Sequence, residues 1–137
     1  MIVYKVVRRT PKGKLISAIV DIIKFNYLTT RPTVSKVGKL FVFSKYVQAF
    51  EFVKLRINLW PKTYPFEIWS AETDNAVQPY TIMLITTGTT KNSIKYFWEY
   101  EYHYSEKSGI INGTLVCDNL MLKEKLYEED REYKRNV

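Results

Sequence analysis

Alternation of period two, recurring in separate short segments, restricts what this chain can fold into more than any other feature. From Ile94 to Tyr104 it runs almost without fault. Ile94, Tyr96, Trp98, Tyr100, Tyr102 and Tyr104 fall on one side of an extended chain, and Lys95, Phe97, Glu99, Glu101 and His103 on the other. Ile2 to Arg8 repeats the pattern, with Ile2, Tyr4 and Val6 opposite Val3, Lys5 and Val7. No helix gathers such residues into one stripe, so both segments are expected to be strands. Thr10-Pro11-Lys12-Gly13 is a turn signal, and the β-branched run Leu15 to Val20 is expected to return as a second strand. Asp21 to Leu28 extends that strand or forms a third, and Thr29 to Gly38 reads as a loop around Arg31-Pro32.

One segment changes period. Leu40 to Phe43 reads as a short buried strand, and Ser44 stands where a helix N-cap belongs. Val47, Phe50 and Val53, with Tyr46 and Ala49, then recur at helical spacing, predicting a helix over about 45–56. Pro61 and Pro65 hold the following stretch in a loop, and Phe66 to Glu72 alternates as a strand. Further strands are expected over Tyr80 to Thr86 and Gly113 to Met121. Leu122 to Arg135 has few apolar anchors among many charges, which predicts a weakly amphipathic helix or a frayed tail. The expected class is α+β: one domain over 1–122, mainly antiparallel sheet with one helix, and a charged C-terminal helix or tail over 123–137. At 137 residues such a domain can bury about two-thirds of its unfolded surface.

Charge is spread unevenly. Residues 1–65 carry thirteen Lys or Arg against two acids, whereas residues 66–137 carry eight against twelve. This asymmetry points to an anionic partner for the first half. Arg8, Arg9, Lys12 and Lys14 around the first turn, with Arg31, Lys36 and Lys39 in the next loop, are the candidate anion-binding residues. Tyr96, Trp98 and Tyr100 are candidates for stacking on bases. The plainer alternatives are a solvated basic face, neutralised by Glu124, Glu128, Glu129, Asp130 and Glu132, and an aromatic stripe packed against another element.

Other chemistries find little support. Cys117 is the single cysteine, so an intrachain disulfide and a cysteine zinc cluster are excluded, and its apolar setting suits an inert thiol. Neighbours among Glu99, Glu101 and His103 would lie about 7 Å apart on a strand but its ends about 13 Å, and no second His exists, so no metal site is expected. Neither a dinucleotide fingerprint nor a phosphate-binding glycine loop is present, and no cofactor is expected. The uncharged stretch Asn75 to Thr90 is too short and polar to span a bilayer, and the basic N-terminus does not read as a signal peptide. A soluble cytoplasmic protein with no membrane partner is expected.

Several strings resemble small proteins encoded by phages, prophages and other viruses: Val3-Tyr4-Lys5-Val6-Val7, Lys14 to Ala18, Gly38 to Ser44 with Ala49-Phe50, Glu67 to Glu72, and Gly113 to Asp118. That resemblance implies an accessory protein in the host cytoplasm. A weaker likeness, carried by the Tyr4 strand, by Leu40 to Phe43 and by the Ala49-Phe50 helix, is to the ADP-ribosyltransferase fold. It implies roles for Tyr4, Ser17 and Glu67 or Glu72. The leading expectation is a non-enzymatic binding protein whose basic N-terminal half holds nucleic acid or a nucleotide. The alternatives are an ADP-ribosyltransferase-like enzyme or inactive relative, and a protein-interaction subunit that binds a host protein or a copy of itself.

Overall fold

The computed structural model describes residues 1–18, 26–35, 39–59, 64–78 and 113–129, with the backbone alone for 56–59. Its axis is β1 (Ile2–Arg9). Along one side β1 pairs antiparallel with β5 (Phe66–Glu72), from Ile2 opposite Glu72 to Arg8 opposite Phe66. Its other side is divided. Val7 to Arg9 pair with β2 (Leu15–Ser17), and Tyr4 pairs with Phe43 of β4 (Leu40–Phe43). The turn between β1 and β2 forms as its residues dictate: Pro11 pre-sets the first corner, Gly13 N–H donates to the Thr10 carbonyl at 2.9 Å, and Gly13 takes a φ of 84°.

Short β3 (Thr33–Val34) and β6 (Ala76–Val77) lie at the two ends of the ladder. With β7 (Thr114–Cys117) and β8 (Asn119–Glu128) the order among the described residues is β3-β8-β5-β1-β4-β7-β6. Only Asp118 separates β7 from β8 in sequence, yet three strands stand between them in the ladder. The sheet therefore curls until its ends meet. A second seam closes it elsewhere: Tyr27 N–H donates to the Leu15 carbonyl at 2.9 Å and Leu122 N–H to the Leu28 carbonyl at 3.0 Å, carrying the chain from β2 across to β8.

Curling gives the sheet an inside and an outside, and each has its own core. Inside lie Val3, Val7, Leu15, Tyr27, Leu40, Val42, Ala71, Cys117, Leu120 and Leu122. Outside, the helix α1 (Tyr46–Leu59) lays Ala49, Phe52 and Val53 on Val6, Phe43, Phe66 and Ile68. The α+β class with a mainly antiparallel sheet and one helix is as expected. Among the described residues no helix is long and apolar enough to cross a membrane.

Three local expectations change. Residues 119–128 are a strand, so the charged helix or tail expected from 123 onward does not hold as far as Glu128. β5 has a backbone edge to pair, and β8 fills it with two irregularities that leave Lys123 and Leu126 without a direct partner across the ladder. Those slips let a charged segment with no clean alternation run as a strand, with Lys123 to Leu126 all exposed. Helix α1 starts one residue later than Ser44 would cap. Gln48 does the capping instead, its Oε1 accepting from Lys45 N–H at 3.2 Å and from the Ser44 hydroxyl at 3.0 Å. Val47, assigned by its spacing to the apolar face, is 54 % exposed, and Phe52 takes its place in the core.

Candidate functional site: the basic corner

At the corner where β1, β2 and β5 come together, the foundation is an ion pair whose carboxylate is buried. Register places Val7 opposite Glu67, and Arg9, one alternate position further along β1, reaches the Glu67 carboxylate with two donors: Nε to Oε2 at 2.5 Å and Nη2 to Oε1 at 3.0 Å. Trp69, the next alternate residue of β5, donates its indole N–H to Glu67 Oε1 at 2.9 Å. The Glu67 side chain is 1 % exposed while that of Arg9 is 35 % exposed, so the guanidinium roofs the carboxylate. Burial pushes the Glu67 carboxyl up, but the bonds from Arg9 and Trp69, with the charges of Arg9 and Lys125, outweigh it and hold its pKa below the usual range. Arg9 is in turn held more firmly protonated, chiefly by the bond to Glu67.

Above this pair stands the turn. Thr10 N–H donates to the Lys14 carbonyl at 2.9 Å, Lys14 N–H to Thr10 Oγ1 at 3.1 Å, and the remaining Arg9 donor Nη1 to the Gly13 carbonyl at 3.1 Å. Four loop hydrogen bonds thus fix a backbone from which Lys12 and Lys14 project. Both are exposed, and neither forms an ion pair among the described residues. Acids at the end of β8 have partners of their own, Glu128 in Lys125 at 3.0 Å and Glu129 in the Phe66 N–H at 2.9 Å, and Glu128 also acts on the Arg9 charge. On the other flank Arg9 N–H donates to the Pro65 carbonyl at 3.0 Å, and Tyr64, next to Pro65 in sequence, is 43 % exposed.

The basic residues singled out in the sequence therefore divide. Lys12 and Lys14 are brought together on the turn. Arg8 is buried and donates Nε to the Ser17 carbonyl at 3.1 Å, tying β1 to β2. Arg9 is committed to Glu67, and Lys39 to Asp118 at 2.6 Å. Arg31 is exposed on the segment leading into β3. Lys36 lies outside the described residues, as do Tyr96, Trp98 and Tyr100 and the face formed by Glu99, Glu101 and His103. Arg8 and Arg9 are thus committed to contacts within the fold, whereas Lys12 and Lys14 are exposed on the turn.

Of the residues implied by the transferase likeness, Tyr4 meets Tyr46 edge-on at 6.2 Å on the helix side, whereas Glu67 and Ser17 belong to the inner face. Glu72 is exposed beside Lys123 at 3.3 Å. The Cys117 thiol is pushed up in pKa by burial, which disfavours the reactive thiolate. No group of three or more His, Cys, Asp or Glu among the described residues could hold a metal ion.

Two polar residues escaped the sequence reading. Lys5 is buried inside the curl, its ammonium donating to the Phe41 carbonyl at 2.6 Å and standing 5.0 Å from the Tyr27 ring centre. Its place between Val3 and Val7 on an apolar row was the available signal. Tyr64 gave only the signal of an aromatic ahead of a proline, and its neighbourhood depends on how β1 and β5 pair.

Comparison of the chain with protein-family models, with curated proteins and with solved structures finds no match.

Proposed function

We propose that this chain is a non-enzymatic binding protein whose basic N-terminal half holds an anionic partner, nucleic acid or a nucleotide, at the turn carrying Lys12 and Lys14. The observation that carries this reading is two exposed lysines on a hydrogen-bonded turn, with the nearby acids engaged by other groups. A lysine that serves only solubility needs no such frame. Here the backbone is fixed before a ligand arrives, so less ordering entropy opposes binding.

Binding through lysine–phosphate contacts displaces counterions, so affinity falls with salt. For two to three contacts on a single strand, log K against log salt has a slope of about −1.5 to −2. The test is fluorescence anisotropy with a labelled oligonucleotide between about 50 and 200 mM salt. Lys12→Glu with Lys14→Glu removes the binding and leaves the circular dichroism spectrum and melting curve unchanged. Undiminished affinity in that folded double variant overturns the proposal.

A further inference from the structure

We infer that the partner of this corner is single-stranded, with one base stacked on Tyr64 and its phosphates on Lys12 and Lys14. The inference rests on the anion-binding reading above and specifies what the anion carries. Across the end of the sheet the ladder continues beyond its last formal pairs. Thr10 bonds to Lys14 on one side, and Arg9 bonds to Pro65 on the other. One further step therefore sets Lys14, Thr10 and Tyr64 in a row across three adjacent chains. At about 4.8 Å between neighbouring strands, the Lys14 and Tyr64 backbones stand on the order of 10 Å apart. Lysine and tyrosine side chains span such a gap together with one or two nucleotides between them.

The chemistry of Tyr64 supports the same assignment. A tyrosine ring is normally drawn into a core or onto another ring, because its face is worth burying. Tyr4, Tyr46 and Tyr127 all do this on the helix side. Tyr64 stays 43 % exposed and makes no ring contact among the described residues. An exposed aromatic near lysines that form no ion pair among the described residues matches the way single strands are held, by stacking plus backbone ion pairs. In a duplex the bases are already stacked on each other and present no face to the ring.

The experiment compares three probes by anisotropy: a thymidine oligonucleotide, an abasic strand of the same length, and a duplex. Wild type binds the thymidine strand at least about ten-fold more tightly than the abasic one, since a stacked base contributes on that scale. Tyr64→Ala loses that preference and binds both strands alike, while Tyr64→Trp keeps it. Equal affinity of wild type for thymidine and abasic strands, or for duplex and single strand, overturns the inference. So does unchanged thymidine binding in Tyr64→Ala. These outcomes leave the Lys12 and Lys14 result untouched, so failure of the stacking assignment is distinguishable from failure of anion binding.

Discussion

The two faces of β1 are built on different principles. Toward the helix, Val6 meets Phe43, Phe66, Ile68, Phe52 and Val53, and aromatic contacts such as Phe43 with Phe52 at 5.5 Å fill the space. Toward the inside of the curl, the same strand alternates apolar with charged residues: Val3, Lys5, Val7, Arg9. Each inward charge has a specific partner, Lys5 on a carbonyl and a ring, Arg9 on a carboxylate. The helix side gains stability from contact area, which tolerates small shifts. The inner side has an apolar core of its own and adds to it directed bonds that fail altogether when one member is removed. Arg9 is an inner-face residue whose third donor happens to fix the loop.

Removing packing from the outer face gives the largest expected loss. Phe66 is fully buried there, in the cluster that joins sheet and helix residues. Phe66→Ala lowers stability by about 3–5 kcal/mol, the transfer loss plus the cavity. Urea denaturation followed by circular dichroism measures it. A loss below about 1 kcal/mol would mean that the helix does not pack on the sheet as described.

The inner face breaks differently. Arg9→Met keeps volume but strands the buried Glu67 carboxylate beside a single remaining side-chain donor, Trp69. The expected cost is about 3 kcal/mol, the low end for a broken buried pair, because the guanidinium is partly exposed and screened. This face also carries a pH signature. The folded pKa of Glu67 lies below its unfolded value, so its stabilisation is fully present above the ordinary glutamate pKa of about 4.3 and is lost as pH falls through the folded value. Glu67→Gln removes that contribution. The stability gap between wild type and Glu67→Gln is therefore constant at neutral pH and closes in acid, whereas the gap for Phe66→Ala does not change. A gap for Glu67→Gln that persists at low pH would show that shape rather than charge holds the pair.

Much of this frame was legible in the sequence, and the losses have identifiable causes. Alternation places β1 and β5, and the Pro and Gly residues place the Pro11–Gly13 turn, because side-chain parity and turn chemistry are local information. The inward Lys5 was visible as a charge on an apolar row, but its partners Phe41 and Tyr27 come from distant segments. Register is likewise non-local, so nothing in the sequence joins Arg9 to Glu67 or to the Pro65 carbonyl. The part of β8 from Leu122 onward reads as helix or tail because its charged residues do not alternate, and two slips against β5 accommodate that pattern in the ladder. A segment whose strand character is supplied by its neighbour's free edge carries no propensity signal of its own. Counting cations likewise merged groups that the fold separates, since Arg8 and Arg9 have the same charge as Lys12 and Lys14 but opposite surroundings.

Two glycines sharpen the contrast at smaller amplitude. Gly13 and Gly113 share a φ of 84°, so an alanine at either position costs about 1–2 kcal/mol in backbone strain. They differ in what surrounds them. A Cβ on Gly13 meets nothing within 4 Å, whereas one on Gly113 would run into the Gln48 amide. Gln48 caps the helix that covers the outer face, and its flexible end must swing away, releasing the Lys45 N–H and the Ser44 hydroxyl. Gly113→Ala is therefore expected to cost more than Gly13→Ala by the worth of that cap, about 0.5–1 kcal/mol. In a Gln48→Ala background the cap is already gone and the two substitutions cost the same. If the excess survived there, it would belong to the Gly113 backbone, whose carbonyl accepts from Ser44 N–H at 2.9 Å, and not to the cap.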